Sequence, residues 1–300
     1  MFLKPKVSVN VIVYQYGKVA STSLVSTFNK MRGVQAYQCH FFGSKQFQST
    51  VNRLCDPDTN DYFFDHSLGQ LNENLKAYRA YHRVNSPENE RRIVLTVARE
   101  PFDWFRSSLV QEIDGHMHAL RLSLRDRRTE AMTEAEIVTQ GLALLMQRLN
   151  LALDAVEGNA DALDTAKRRE LERALNFDSA QDFKGFLFLL SKFLRPHWWF
   201  RTQFTPEFGV DIHDMVNEGQ GLRSQRTVRG NVYLARYEQL ESAFARLLDL
   251  ESLPAKRLKW VNEGHKKPLS EEVSAAFQTE PALALKARTR SEITKALGYC

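Results

Sequence analysis

The chain has 300 residues, of which 43% are hydrophobic and 26% charged, and it contains 19 Phe, 9 Tyr and 4 Trp. This composition excludes a disordered chain, a collagen-like repeat and a coiled-coil rod, and it predicts a globular protein with a large core. The 41 basic and 36 acidic residues leave a net charge of +5, which is too balanced for nucleic-acid binding through bulk charge. We therefore expect no nucleic-acid partner.

The sequence shows no signal for a membrane span or for a cysteine framework. No apolar run reaches the ~20 residues that a membrane helix needs, and residues 1–13 lack the pattern of a cleavable signal peptide. Cys39, Cys55 and Cys300 show no CxxC spacing, so neither a disulfide framework nor a zinc cluster is predicted. We expect a cytoplasmic protein without a transmembrane segment; the sequence predicts no oligomeric state.

Apolar, β-branched segments predict the strands of a sheet. The predicted strands are residues 7–13, 34–39, 92–98 and 232–237. A helix is predicted from near Thr22 through Met31, with Gly33 suited to its C-terminal cap, and an amphipathic helix over residues 238–250. Strand, helix and strand in succession predict a parallel sheet.

A helical insertion is predicted over about residues 114–200, where apolar residues recur at helical spacing between charged ones. Within it, the Phe-, Leu- and Trp-rich stretch 186–199 is predicted to pack as core. We expect a single domain over residues 1–300 that carries this insertion.

The turn after the first strand carries the first candidate site, because a lysine and three hydroxyls surround the start of a helix. Its residues are Gly17, Lys18, Val19, Ala20, Ser21, Thr22 and Ser23. Backbone N–H groups at a helix start bind anions, so the turn predicts a phosphate or sulfate cradle. It is not a Walker A motif, because Val19 stands where Ser or Thr would bind magnesium, so we expect no metal. The alternative is an ordinary helix capped by Ser21 or Thr22, with Lys18 reaching into solvent.

A second candidate site follows the third predicted strand. Arg99 stands at the carboxyl end of that strand, where open α/β sheets bind ligands, and Ser107 follows on the next helix. A guanidinium and a hydroxyl in these positions predict a second phosphate site. A surface ion pair of Arg99 with Glu100 or Asp103 is the alternative.

Taken together, the two motifs resemble the phosphate-binding elements of sulfotransferases that use 3′-phosphoadenosine 5′-phosphosulfate (PAPS). The motifs are GKVASTS after the first strand and REPFDWFRSS after a later one. Residues 198–211, LARYEQL and NEGHKKPLSEE are further similar to bacterial sulfotransferase-like proteins associated with capsular polysaccharide, and more distantly to carbohydrate 2-O-sulfotransferases. The resemblance covers roughly residues 7–110 and 196–275.

The resemblance implies a three-layer, P-loop-like α/β fold with a central parallel sheet, and it gives each motif a role. Lys18 would stabilise the leaving phosphate oxygen, and Ser21, Thr22 and Ser23 would donate to the 5′-phosphate. Arg99 and Ser107 would hold the 3′-phosphate, and Lys266 and Lys267, with Asn262, would close over it. A solvated basic loop is the alternative for this last segment. The cofactor implied is PAPS, with adenosine 3′,5′-bisphosphate (PAP) as product and no metal.

Transfer to a hydroxyl also requires a base, and histidine, with a reference pKa of about 6.5, is suited to this. His40 ends the second predicted strand beside the cradle, where similar family members carry a histidine, and it is the preferred candidate. The resemblance makes His66 the rival, because the 2-O-sulfotransferases have a second histidine-bearing segment before the strand that carries the arginine. Either could instead be a structural histidine. His116 and His118 are two residues apart, so they cannot face one metal from a helix, and we reject a zinc site there.

The acceptor implied by the resemblance is a hydroxyl-bearing molecule, with a glycan favoured. Four arginines in a stretch without acids predict a surface for an anionic acceptor, with a solvated loop as the alternative: Arg223, Arg226, Arg229 and Arg236. The rival functions are a magnesium-dependent kinase and a non-catalytic nucleotide-binding module.

Overall fold

The structure is a computed structural model that describes residues 7–55, 61–83, 90–124, 131–155, 165–175, 177, 180–261, 267–288 and 292–299. The chain divides into two compact units, each assembled from two stretches of sequence. The first unit comprises Met1–Arg99 and Trp199–Val261, and the second comprises Glu100–Trp198 and Asn262–Cys300. The single domain expected from the sequence stays a prediction.

The first unit is built on a six-stranded, mainly parallel sheet in the order β2-β1-β3-β6-β5-β4. Strands β2, β1, β3 and β6 run parallel, and β5 pairs antiparallel with both β6 and β4. The strands are β1 Val9–Tyr14, β2 Val34–Cys39, β3 Arg91–Ala98, β4 Val216–Gly219, β5 Leu222–Thr227 and β6 Gly230–Arg236.

Helices cover both faces of this sheet. The helices of the first unit are α1 Ser21–Phe28, α2 Ser44–Leu54, α3 Asp61–His82, α8 Thr205–Phe208 and α9 Leu240–Leu250. The connections β1-α1-β2 and β2-α3-β3 cross the sheet in opposite directions, so right-handed crossovers put α1 and α3 on opposite faces. Helix α9 packs on β6 and meets α1 through Phe244 and Phe28, whose ring centroids are 5.1 Å apart. The predicted three-layer α/β class with a central parallel sheet is confirmed.

The predicted strands match β1, β2, β3 and β6, but β4 and β5 were not predicted. Arg223 and Arg226 lie on β5, so the interpretation of that stretch as a solvated loop is wrong. Helix α1 ends at Phe28, one turn before the predicted end, and Asn29 is its C-cap residue. The Asn29 side chain accepts from the Ala36 N–H (2.7 Å) and donates to its carbonyl (3.3 Å), and so binds the backbone of β2.

An aromatic cluster fills the core near the carboxyl end of β1. The ring of Tyr14 lies 5.0 Å from both Trp199 and Phe208 and 5.4 Å from Phe42, and all four side chains are buried. A short π-helix, Phe200–Phe204, continues this cluster. Rigid packing here fixes the strand end from which the candidate site begins.

The second unit is helical in its described residues and contains most of the predicted insertion. Its helices are α4 Pro101–Ser123, α5 Glu134–Ala155, α6 Thr165–Leu175, α7 Ala180–Trp199, α10 Ser270–Ala276, α11 Glu280–Arg288 and α12 Glu292–Ala296. Helix α5 packs against α4, α6, α10 and α11. The prediction that residues 186–199 are core is confirmed for Phe186, Leu190 and Phe193, whereas Phe188 is 56% exposed. Among the helices described, none combines the length and apolar character of a membrane span.

Candidate functional site

At the end of the turn between β1 and α1, left-handed Ala20 (φ 60°, ψ 22°) precedes helical Ser21, which is the backbone pairing of an anion-binding nest. Gly17 (φ 102°), Lys18 (φ 55°) and Ala20 (φ 60°) lie in the left-handed region, whereas Val19 and Ser21 do not. Alternation of left- and right-handed residues turns successive N–H groups toward one concavity, which is where proteins bind phosphate and sulfate. Left-handed geometry costs a non-glycine residue roughly 1–2 kcal/mol, so Lys18 and Ala20 are held there by their surroundings.

The start of α1 lacks a side-chain cap. Its N-cap residue is Ala20, which cannot cap through a side chain, and no side-chain cap bond is formed. The alternative of a helix capped by Ser21 or Thr22 is therefore wrong. The first N–H groups of a helix have no partner within the helix, and they carry its positive dipole end, so this terminus is suited to an anion.

The hydroxyl side chains of the cradle differ in their surroundings. Thr22 is exposed and Ser21 is nearly buried, at 7% exposure, while Ser23 is fully buried. The Ser23 oxygen accepts a hydrogen bond from the Val261 N–H at 2.9 Å. The described contact of Ser23 is thus with a distant chain segment, and its predicted role as a phosphate donor stays a prediction.

Lys18 and Val19 point to different environments. Lys18 is half-buried, while the Val19 side chain is fully buried and anchors the turn to the core. At the corresponding place a Walker A motif has a hydroxyl ligand for magnesium. A fully buried alkyl side chain cannot supply that ligand, so this cradle lacks a standard part of a magnesium-nucleotide site.

Arg99 lies at the carboxyl end of β3 as predicted, and it is bound to the cradle. Its Nη1 donates to the Lys18 carbonyl at 3.3 Å, and its backbone N–H donates to the Tyr16 hydroxyl at 3.1 Å. Its guanidinium also lies 4.3 Å from the ring centroid of Tyr237. These contacts bring Arg99 and Lys18 together. Asp103, one of the predicted surface partners of Arg99, pairs with Arg106 at 3.1 Å.

Aromatic residues that the sequence analysis did not select extend this part of the first unit. Trp260 is 40% exposed, and its ring centroid is 5.9 Å from that of Tyr237. Its Nε1–H donates to Glu241 at 2.6 Å, which fixes the ring. The position of Tyr237 directly after β6, a strand whose carboxyl end lies beside Arg99, is the signal that could have found it.

His40 lies beside the cradle, as predicted, and polar side chains from three elements hold it. Its backbone N–H donates to Oδ1 of buried Asn74 at 2.7 Å. The Gln15 amide nitrogen lies 3.1 Å from each ring nitrogen of His40, and the Gln38 amide nitrogen lies 3.5 Å from Nε2. The structure thus brings Lys18, Arg99 and His40 to the same edge of the sheet.

The other predicted site residues lie outside the described part of the chain or belong to the second unit. His66 lies on α3, and its side chain falls outside the described part. Lys266 and Asn262 lie outside the described residues altogether. Half-buried Ser107 on α4 and exposed Lys267 before α10 belong to the second unit.

The four arginines predicted to form one acceptor surface are dispersed. Arg229 and Arg236 stand at opposite ends of β6, about 20 Å apart at the rise of a strand. Arg223 donates to the Ile212 carbonyl at 3.1 Å, and Nη1 of Arg229 lies 2.5 Å from His82 Nδ1. The prediction of a single arginine surface is therefore wrong.

The second unit contains a separate polar cluster, defined by Glu112, His116 and Lys192. Lys192 is 4% exposed; it donates to the Glu112 carboxylate, and its Nζ lies 3.1 Å from Nε2 of His116. Burial, and secondarily the charge of Lys192, lower the pKa of His116 to about 4. Neutral His116 therefore accepts from Lys192 through Nε2. Among the described residues, no group of three or more His, Cys, Asp or Glu is arranged to hold a metal ion.

Comparisons of this chain with protein-family models, with curated proteins and with solved structures give no match.

Proposed function

We propose that the protein transfers the sulfuryl group of PAPS to a hydroxyl group, with a glycan as the favoured acceptor. The observation that carries this proposal is the left-handed Ala20 directly before helical Ser21, at a helix start without a side-chain cap. That geometry favours an anion. Lys18, Arg99 and His40 lie at the same edge of the sheet as this helix start, which supports the roles that the motif resemblance implies for them.

The residues of the cradle fit the 5′ end of such a donor. PAPS supplies the sulfuryl group and a phosphate leaving group. Lys18 places an ammonium where negative charge develops on the leaving phosphate oxygen, and it stabilises that charge without rearrangement. Backbone N–H groups of the nest and the exposed Thr22 hydroxyl hold the phosphate against the head of α1.

His40 acts as the general base in this proposal. As the acceptor oxygen bonds to sulfur, the bond from sulfur to the phosphate oxygen breaks, and its electron pair remains on that oxygen. The hydroxyl proton of the acceptor passes to a ring nitrogen of His40. No covalent intermediate with the protein is needed, because positioning and charge stabilisation account for the step.

A labelled-sulfate assay tests this function. The protein is incubated with sulfur-labelled PAPS and a panel of glycans and small alcohols, with and without EDTA. We expect labelled sulfate ester on at least one acceptor, with no loss in EDTA, because buried Val19 provides no magnesium ligand. Phosphate transfer from ATP that EDTA abolishes would replace the proposal with the kinase. PAP binding with no transfer to any acceptor would favour a non-catalytic binding module.

A further inference from the structure

Asn74 of α3 holds the chain segment that carries His40. Its side chain is fully buried, and its Oδ1 accepts from the N–H groups of His40 at 2.7 Å and of Phe41 at 3.2 Å. The Cys39 thiol donates to the same oxygen at 3.1 Å. Strand β2 ends at Cys39, so Asn74 supplies the acceptor for the next two N–H groups along the chain.

The orientation of the Asn74 amide is fixed from both sides. Its Nδ2 donates to the Gln70 carbonyl, one turn earlier on α3, at 2.7 Å. An amide donates only through its nitrogen and accepts only through its oxygen, so the reverse orientation would set oxygen against oxygen and donor against donor. Oδ1 therefore faces the segment that follows β2.

The peptide group between Cys39 and His40 is bound on both sides. Its carbonyl, from Cys39, accepts from the Gln15 N–H beyond β1 at 2.9 Å, and its N–H, from His40, donates to Asn74. Because a peptide group is planar, bonds on its two opposite sides hold it in place. This anchors the backbone from which the His40 side chain extends in one of its staggered rotamers.

We propose that Asn74 is a positioning residue for His40, which keeps the imidazole at the edge of the sheet beside the cradle. The inference rests on the proposed function, in which His40 takes the proton of the acceptor hydroxyl. A base must lie within hydrogen-bond reach of that proton, and a displacement of ~1 Å can cost ~10²-fold in rate. The described hydrogen bonds of Asn74 do not reach residues 17–23, so its loss should affect transfer rather than donor binding.

Asn150 of α5 provides a matched control. Its Nδ2 likewise donates to the carbonyl four residues earlier, that of Met146, at 3.0 Å, and it also donates to the Pro281 carbonyl at 2.8 Å. It belongs to the second unit. A change to Leu replaces the amide by an apolar group of similar size at either position. Asn74→Asp, in contrast, keeps an oxygen that can accept from the His40 N–H.

The first test separates the transfer rate from donor binding. Initial rates are measured with sulfur-labelled PAPS and the acceptor found in the transfer assay, and PAP affinity is measured by calorimetry. We expect Asn74→Leu to lower kcat about tenfold to a hundredfold with PAP affinity unchanged, and Asn74→Asp to recover most of that loss. Asn150→Leu should keep the wild-type kcat.

An unchanged kcat in folded Asn74→Leu, or an equal fall in Asn150→Leu, would overturn the inference. Should Asn74→Leu lack a cooperative melt, Asn74→Ser takes its place with the same expectation, because the shorter side chain withdraws the oxygen from the His40 N–H.

The second test asks whether Asn74 acts through His40. In a His40→Ala background the base is already absent, so Asn74→Leu should reduce kcat no further, whereas a general effect on the fold would lower it by the same factor in both backgrounds. Equal factors would refute the positioning role and leave the proposed function in place. If the wild-type protein transfers sulfate to no acceptor, the proposed function fails, and the role of Asn74 fails with it.

Discussion

Two regions of the molecule each bring a lysine and a histidine close to a break in regular helical structure. One is the cradle of the first unit, and the other is the polar cluster of the second unit, formed by Glu112, His116 and Lys192. In the cradle, half-buried Lys18 stands beside a nest of backbone amides at an uncapped helix start. In the polar cluster, Glu112 has non-helical backbone angles inside α4, and the buried Lys192 side chain bonds to Glu112 and His116.

The difference lies in where the hydrogen-bonding capacity of each region is directed. In the polar cluster, side chains bond to one another, so the charges compensate one another within the fold. In the cradle, left-handed residues precede a helix start without a side-chain cap, a geometry that favours a bound anion, and the nearby Lys18 is half-buried. A cluster of titratable groups thus indicates a binding site only where the surrounding backbone also presents donors.

The largest effect is expected at His40. His40→Ala should lower transfer by ~10²–10⁴-fold, because it removes the group that takes the acceptor proton, and it should leave PAP affinity nearly unchanged. Initial rates and calorimetry measure the two quantities. His66→Ala is the comparison variant: an inactive His66→Ala protein beside an active His40→Ala protein would assign the base to His66.

The second-largest effect on the transfer rate is expected at Lys18. Loss of a charge that acts on the leaving oxygen costs ~10²–10³ in rate, so Lys18→Ala should lose nearly all transfer while keeping its melting temperature. Lys30, an exposed lysine just after α1, is the matched control, and Lys30→Ala should keep wild-type activity. Equal activity of the two variants would remove the cradle from the mechanism.

The polar cluster should affect stability rather than activity, through the protonation of His116. Its pKa of about 4 in the fold lies below the ordinary histidine value, so the unfolded chain takes up the proton first as the pH falls. The free energy of unfolding is therefore highest above about pH 6.5 and falls progressively toward pH 4. This one group lowers it by about 2 kcal/mol between pH 7 and pH 5.

The measurement is denaturant unfolding at about pH 7 and about pH 5. His116→Gln keeps an acceptor for Lys192 but does not titrate. This variant should therefore lose about 2 kcal/mol less unfolding free energy between the two pH values than the wild type does. His118→Gln changes an exposed histidine on the same helix and should leave the loss as it is. His197, whose pKa burial also lowers to about 4, keeps its own contribution in both variants. An undiminished loss in His116→Gln would show that His116 is not held neutral.

Apolar sequence patterns predicted the strands that form the buried part of the sheet, and with them the place of the cradle. Strands β4 and β5 were missed because their residues, VNEG and LRSQRT, are mostly polar and only Leu222 is buried. The sequence feature that could have revealed these two strands is the glycine-rich turn Gly219-Gln220-Gly221 between them. All three of its residues have positive φ in the structure.

The part of the candidate site that consists of charged residues and a histidine at strand ends was predicted from the sequence. Lys18, His40 and Arg99 lie where β1, β2 and β3 end, and parallel strands bring those ends to one edge. Gln15 was missed because an uncharged amide carries no chemical signature in a sequence, and its contact with His40 depends on packing between strands. The binding of Arg99 to the Lys18 carbonyl likewise depends on a backbone conformation that the sequence does not reveal.

The central claim, a donor site for PAPS at the cradle, is tested most directly by thermal denaturation with PAP and with AMP at equal concentration. At ~100 times its dissociation constant, PAP should stabilise the protein by ~2.7 kcal/mol, a shift of several degrees at ~2–4 °C per kcal/mol, and magnesium should not be required. AMP should give a much smaller shift, because it lacks the 3′-phosphate. Equal shifts with the two nucleotides, or a shift with ATP alone that requires magnesium, would contradict the account.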